Sequence, residues 1–184
     1  MTMREPIQLP SLDRLHSLLR YDAESGRLFW RDQPARSRKW ANRFVGKVAG
    51  CRSFNPDGTP KCVLICIDYV HYKAHRIIWK MHNGDPVPDR IDHIDVNPFN
   101  NRPGNMRAAE HAQNMRNRGV QKNNVCGLKG VTYAKSRAHL PTPWVAKINI
   151  NGRSTNLGSF ATKGLAAVAH AKAAIRHHGQ FSYV

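Results

Sequence analysis

Asp92 and His93 are adjacent, Asn105 follows His93 by twelve residues, and Asn114 follows Asn105 by nine. A carboxylate and an amide oxygen, facing each other across a gap the size of one cation, suit a hard divalent ion such as Mg²⁺. Such an ion keeps waters and takes phosphate oxygens from a substrate. His93 points away from Asp92 on a flat strand, but at a twisted strand end it can reach the water above a scissile phosphate. A neutral imidazole is a suitable general base at pH 7. The carbonyl of Asn105 could hold the second ring nitrogen and fix the tautomer. Arg102, Arg107, Arg116 and Arg118 surround the stretch with positive charge for phosphates.

The elements that must position these groups are legible around them. "RID" reads as a short strand, "VNPFNNRPG" as a loop, "NMRA" as a returning strand and "AEHAQNMRN" as a helix. This order brings the end of the first strand to the first turns of the helix. Upstream, "AHRIIWKMHNGD" reads as a helix with Ile77, Ile78 and Met81 inward, stopped at Asn83-Gly84. Asp95, Asn97, Asn100 and Asn101 read as loop residues that bond local backbone. His75 reads as a packing residue, and His82, His111, His170, His177 and His178 as solvated or structural.

The pattern D-H-I-D-x-N-x-x-N-N-x-x-x-N-M-R, with an Asn eight residues after the Met, resembles the HNH endonuclease family. Within it the likeness is to the phage and intron-encoded homing-type branch, in which an Asp-His pair replaces His-His and the final His is Asn. The lead-in "YKAHRIIWKMHNGDPVPDR" is similar too, so the likeness covers about residues 69–118. It implies a ββα-metal module with Asp92 and Asn114 as metal ligands, His93 as general base and Asn105 as the residue orienting it. Met106 stands where Leu is commoner, which keeps an apolar anchor.

Lys and Arg total 29 against 12 Asp and Glu, a formal charge of +17 spread along 184 residues. A folded chain this basic repels itself, so a polyanionic partner is expected, with duplex DNA first. A membrane is not expected as partner, because no segment approaches the roughly 20 apolar residues of a span. "MTMREPIQLPSLDRL" has no apolar signal region, so a cytoplasmic, unsecreted protein is expected. Cys62 and Cys66 in "CVLICI" read as buried strand thiols rather than a zinc clip.

The expected fold class is α+β in several modules. Residues 1–68 form an α+β region, with a helix over 11–21 capped by Ser11, then strands in "SGRLFWR", "WANRFVGKVAGCRS" and "KCVLICIDYVHYKA". Residues 69–118 form the nuclease module, 119–128 a basic linker, and 129–184 a three-stranded antiparallel sheet packed on one helix. In that last segment "PWVAKINI" alternates strictly, Asn151-Gly152 marks a hairpin, and "TKGLAAVAHAKAAIRHHG" is an Ala-rich helix. Thr162 is placed to cap it, and Val168, Ala171 and Ile175 share a face. The hairpin register pairs Ile148 with Thr155 and Ala146 with Leu157. This segment resembles the ethylene-response-factor type of DNA-binding domain through "LKGVTYAK", "WVAKINING", "NLGSF" and "TKGLAAVAHAKAA". The resemblance implies one sheet face in the major groove. Here that face carries Lys129, Thr132, Lys147, Asn149, Ser154 and Asn156, with Arg153 beside the turn able to touch a phosphate.

The expected activity is a metal-dependent DNA endonuclease that uses one divalent cation, Mg²⁺ or Mn²⁺, and leaves 5′-phosphate and 3′-hydroxyl ends. A monomer with one site is expected to nick one strand, with the C-terminal module giving site recognition. The alternative is a sequence-specific DNA-binding regulator with an inactive nuclease module. Charge alone also suggests a ribosomal or RNA-packaging protein.

Overall fold

The computed structural model describes residues 8–117, 119–120 and 124–182. The chain is mixed α+β, with small antiparallel sheets and five α-helices among the described residues. It divides into two compact units, Met1–Ala109 and Glu110–Val184. Among the described residues no helix is long and apolar enough to cross a membrane.

The first unit opens with α1 (Leu12–Leu18), where the Ser11 hydroxyl accepts from the Arg14 N–H as an N-cap. The helix expected to run to residue 21 stops at Leu18, because Leu19 turns extended and starts β1 (Leu19–Asp22). β1 pairs with β2 (Arg27–Trp30), Leu19 opposite Trp30 and Asp22 opposite Arg27. This pairing buries Leu19 completely, which one more helical turn would not do. A second correction follows. The first five residues of "WANRFVGKVAGCRS", where a strand is expected, lie in α2 (Arg38–Phe44), capped by Ser37 and stitched by Trp40 and Phe44, four apart with ring centroids 5.3 Å apart. Val45 and Val48 after it form isolated bridges, to Trp30 and Phe29.

β3 (Cys51–Phe54), β4 (Pro60–Ile67) and β5 (Val70–Lys73) form the expected meander. Asp68 and Tyr69, both at positive φ, make the two-residue turn between β4 and β5. α3 (Ala74–Asn83) follows and seats Ile77 and Ile78 in the core. Cys62 is buried as expected, but Cys66 is exposed, lying on the side of β4 away from buried Ile65 and Ile67. One apolar cluster joins Leu15, Leu18, Leu19, Leu28, Ile65 and Ile77 with Met106 of the motif. The boundary expected near residue 68 is therefore crossed by a single core.

In the second unit, α4 (His111–Asn117) precedes a sheet of order β10-β9-β8, built from β8 (Val131–Tyr133), β9 (Trp144–Ile150) and β10 (Arg153–Phe160). α5 (Lys163–His178), capped by the Thr162 hydroxyl, packs on it. The sheet register differs from the expected one by a bulge. Ile148 faces Thr155, but Ala146 faces Gly158, because Asn156 Oδ1 accepts the Gly158 N–H and leaves Leu157 as the extra residue. Leu157 still reaches the core. α5 also meets the sheet through a different face from the aliphatic one: Ala166, His170 and Ala174 are buried, while Val168 and Ile175 are exposed.

That choice of face gives a direct check by urea denaturation. Val168→Gln is expected to change stability by no more than about 0.5 kcal/mol. Ala166→Leu, which overfills the close helix–sheet contact, is expected to cost about 1–3 kcal/mol.

Candidate active site

β6 (Ile91–His93) and β7 (Met106–Ala108) form the two-stranded ribbon that carries the motif, and α4 follows them in the chain. The register sets Asp92 opposite Arg107 and His93 opposite Met106. Facing residues share one side of the ribbon, so Arg107 is delivered to the Asp92 carboxylate. Its Nε and Nη2 both donate to Asp92 Oδ2, at 2.9 and 2.7 Å, and both side chains are nearly buried. Arg107 was expected to face phosphates; instead its guanidinium balances the carboxylate.

His93 is 9% exposed, and its Nε2 lies 2.9 Å from Asn101 Oδ1. An amide oxygen only accepts, so Nε2 carries the proton and Nδ1 is the basic nitrogen of the neutral ring. Asn101, 2% exposed, thus does more than form a turn. Its adjacency to Asn100 gave no signal of which of the two would face the ring. The second neighbour is His75 at the start of α3, whose ring meets His93 edge-on at 5.5 Å between centroids and 89° between planes. Arg76, the next residue, donates through Nη1 to the carbonyls of Pro88 and Asp89, which fixes the chain entering β6.

The loop between the strands is organised by Asp95. Its Oδ1 accepts from the Asn97 N–H at 2.9 Å and Asn105 Nδ2 at 2.8 Å, and its Oδ2 from Asn100 Nδ2 at 2.7 Å. Burial alone would push this carboxyl up, but those hydrogen bonds and the nearby His93 outweigh it and hold it below the usual carboxylate range. Asn105 completes the knot: its Oδ1 accepts the Asp95 N–H, its Nδ2 also reaches the Asn100 carbonyl, and its own carbonyl accepts from the Ile94 N–H. Val96, a β-branched residue at φ +62, is held inside this network in a conformation that such residues rarely adopt.

The N-terminal hairpin braces the same loop from outside. Tyr21 donates its hydroxyl to the Asn101 carbonyl at 3.2 Å. Burial, with Asp22 beside it, pushes the Tyr21 phenol up to about 12, so it stays a donor. Arg102 donates Nε to the Glu24 carbonyl. Gly26, at φ +69, lies so close that a Cβ would stand 2.6 Å from the Arg102 nitrogen and 2.8 Å from the Asn101 carbonyl carbon. Neither Tyr21 nor Gly26 had a sequence signal as a site residue, because the contact spans about eighty positions.

Asn114 lies on α4 in the second unit, whereas Asp92, His93, Asn101 and Asn105 lie in the first. Arg116 is half-buried on α4, and Arg118 and the side chain of His111 lie outside the described residues. Of the expected sheet-face residues, Thr132, Lys147, Asn149, Arg153, Ser154 and Asn156 are exposed. Lys129 is not on that face: it precedes β8, is half-buried, and donates Nζ to the Arg116 carbonyl at the end of α4. Among the described residues no group of three or more His, Cys, Asp or Glu could hold a metal. A cation at Asp92 would therefore complete its shell with amide, water or phosphate oxygens, a donor set that fits Mg²⁺ or Mn²⁺ better than softer ions.

Residues 72–116 match the family model described as HNH endonuclease. The chain is also 37% identical over 93 residues to Protein 3.8 of Escherichia phage T7, covering 48% of this chain and 73% of that protein. No solved structure matches at a significant level.

Two measurements check this geometry. Gly26→Ala forces a side chain into both the left-handed backbone and the Asn101–Arg102 contact, so it should lower urea stability by more than about 1 kcal/mol. His75 is neutral in the fold: burial first, then the charges of His93, Lys73 and Arg76, bring it down to about 3. An unfolded imidazole protonates near about 6.5, so between those values the unfolded chain holds a proton that the native one does not. The His75 contribution is complete above about pH 6.5 and declines as pH falls toward about 3, by up to about 1.4 kcal/mol per pH unit. His75→Phe should flatten that slope in urea titrations run at a series of pH values.

Proposed function

The chain belongs to the same family as Protein 3.8 of phage T7 and carries an HNH endonuclease domain, and on that premise we propose that it is a metal-dependent endonuclease hydrolysing phosphodiester bonds in duplex DNA. The observation that carries this reading is the buried His93–Asn101 hydrogen bond, which fixes the ring within the segment that matches the HNH endonuclease model. His93 takes a proton from the attacking water through Nδ1. Asn101 keeps the ring in the required tautomer, and Asn105 orients it through the Asp95 knot. HNH nucleases generally use a divalent metal ion. Asp92 and Asn114 would hold one, Mg²⁺ or Mn²⁺, and it would supply positive charge for the phosphate and the departing 3′-oxygen. The products are 5′-phosphate and 3′-hydroxyl ends, and a monomer in the cytoplasm with one such site nicks one strand.

The second unit supplies recognition in this proposal. Thr132, Lys147, Asn149, Ser154 and Asn156 share the sheet face away from α5, and none is buried. Their mixture of ammonium, amide and hydroxyl groups suits phosphates and base edges together, as the resemblance to ethylene-response-factor domains implies. Arg102, Arg116, Arg118, Lys129 and Arg153 add backbone charge. The second reading, a DNA-binding regulator, is favoured by one observation: Arg107 already sets a positive charge on Asp92, as a bound cation would.

Incubating the protein with duplex DNA and Mg²⁺ or Mn²⁺ separates the two. The nuclease reading predicts cation-dependent cleavage that His93→Ala lowers by at least about a hundredfold, with binding nearly unchanged. Absence of cleavage on every duplex tried, with binding retained, leaves the regulator. Lys147→Ala should weaken binding across sequences and reduce the slope of log K against log salt by about one.

A further inference from the structure

The first unit carries a basic surface outside the nuclease motif. From Gln33 to Pro56 the sequence has six Lys and Arg and no Asp or Glu. α2 lies in this stretch. Arg38, Lys39, Asn42 and Arg43 on it are exposed, as is Lys47 just after it. Trp40, Ala41 and Phe44 are half-buried, and the Trp40 ring meets Trp30 of β2 at 5.9 Å between centroids. Backbone bonds tie the end of the helix to the same strand. Gly46 N–H donates to the Trp30 carbonyl at 2.9 Å, and Trp30 N–H donates to the Lys47 carbonyl at 3.0 Å. The charges therefore stand on an anchored helix and not on a free tail.

This charge works against the helix that bears it. Lys39 and Arg43 are four apart, the spacing at which like charges on a helix repel. Arg38 and Lys39 occupy the first turn, where the free backbone N–H groups are already positive, and no acid stands there to offset them. A helix of seven residues has little stability of its own to absorb this. Asp68 pairs with Arg14 and Arg36, and among the described residues none of Arg38, Lys39, Arg43 and Lys47 makes an ion pair. A rule of local preference broken on an exposed face points to a partner that offsets it.

Guanidinium, ammonium and amide donors on one outward face suit phosphate oxygens. Neither ring of α2 is exposed, so the face offers a lipid bilayer no aromatic anchor. From these observations we propose that the outward face of α2, with Lys47, grips the phosphodiester backbone of the duplex that the nuclease module acts on. The inference rests on the duplex-DNA reading above and adds a contact surface from the N-terminal part of the first unit. Phosphate contacts carry no base information, so this surface supplies affinity and orientation and leaves sequence choice to other groups.

Binding of the full chain to a duplex oligonucleotide without divalent cation, followed across a salt series, is the test. The variant combining Arg38→Gln, Lys39→Gln and Arg43→Gln should bind at least about tenfold more weakly at low salt, with the slope of log K against log salt reduced by about two to three. Arg38→Lys with Arg43→Lys, which keeps the charge, should retain the wild-type slope. Should the triple variant fail to fold by circular dichroism, the wild-type chain carries the same expectation: bound duplex protects the Lys39 and Lys47 amines from acetylation. A duplex-bound wild type with Lys39 acetylated as fast as in the free chain, or a folded triple variant with an unchanged slope, overturns this inference and leaves the duplex-DNA reading standing. No binding of any duplex by the wild type removes both. Tighter binding of duplex RNA than duplex DNA through the same side chains overturns the assignment to DNA.

Discussion

A hydrogen bond from His93 Nε2 to Asn101 Oδ1 decides which side of the imidazole can take up a proton, and much of the first unit serves to keep it in place. Asn101 sits on a loop of twelve residues between two three-residue strands, which by themselves could not hold it. Three constraints do. Asp95 gathers Asn97, Asn100 and Asn105 from within the loop. Tyr21 and Gly26 close on it from the N-terminal hairpin. α3 sets His75 against the ring from the other element that packs there. The N-terminal hairpin is therefore part of the site's support and shares its core.

Charge is balanced locally within this support. Asp92 is 4% exposed, and a carboxylate so buried needs a partner. Arg107 provides one across the ribbon. Breaking a buried ion pair by removing one member typically costs about 3–5 kcal/mol. His75 takes the other route and stays neutral. The support therefore contains an ion-paired carboxylate and an uncharged imidazole, each set by its neighbours.

Much of the motif was legible because its pieces are local in sequence. The strand–loop–strand–helix order, the N-caps at Ser11 and Thr162, the Asn151-Gly152 hairpin and the Asp95 turn all depend on residues within a few positions of one another. Long-range contacts were not legible. Leu19 leaves the helix because β2 offers it a partner, and Trp40 and Phe44 form a helix in a stretch whose alternation resembles a strand. The bulge at Leu157 depends on the Asn156 side chain taking the Gly158 N–H. α5 turns Ala166, His170 and Ala174 inward and leaves Val168 and Ile175 exposed, a choice of face that aliphatic periodicity does not carry. In the site, Arg107 was read as a phosphate ligand because its facing residue follows only from the ribbon register.

The tautomer of His93 can be measured directly. A two-bond proton–nitrogen correlation spectrum of the full chain labelled with ¹⁵N-histidine, assigned by comparison with His93→Ala, reports which ring nitrogen carries the hydrogen. The arrangement predicts the Nε2–H form in the native chain, with that preference lost in Asn101→Ala. A native ring protonated on Nδ1, or one indifferent to Asn101, would contradict the account.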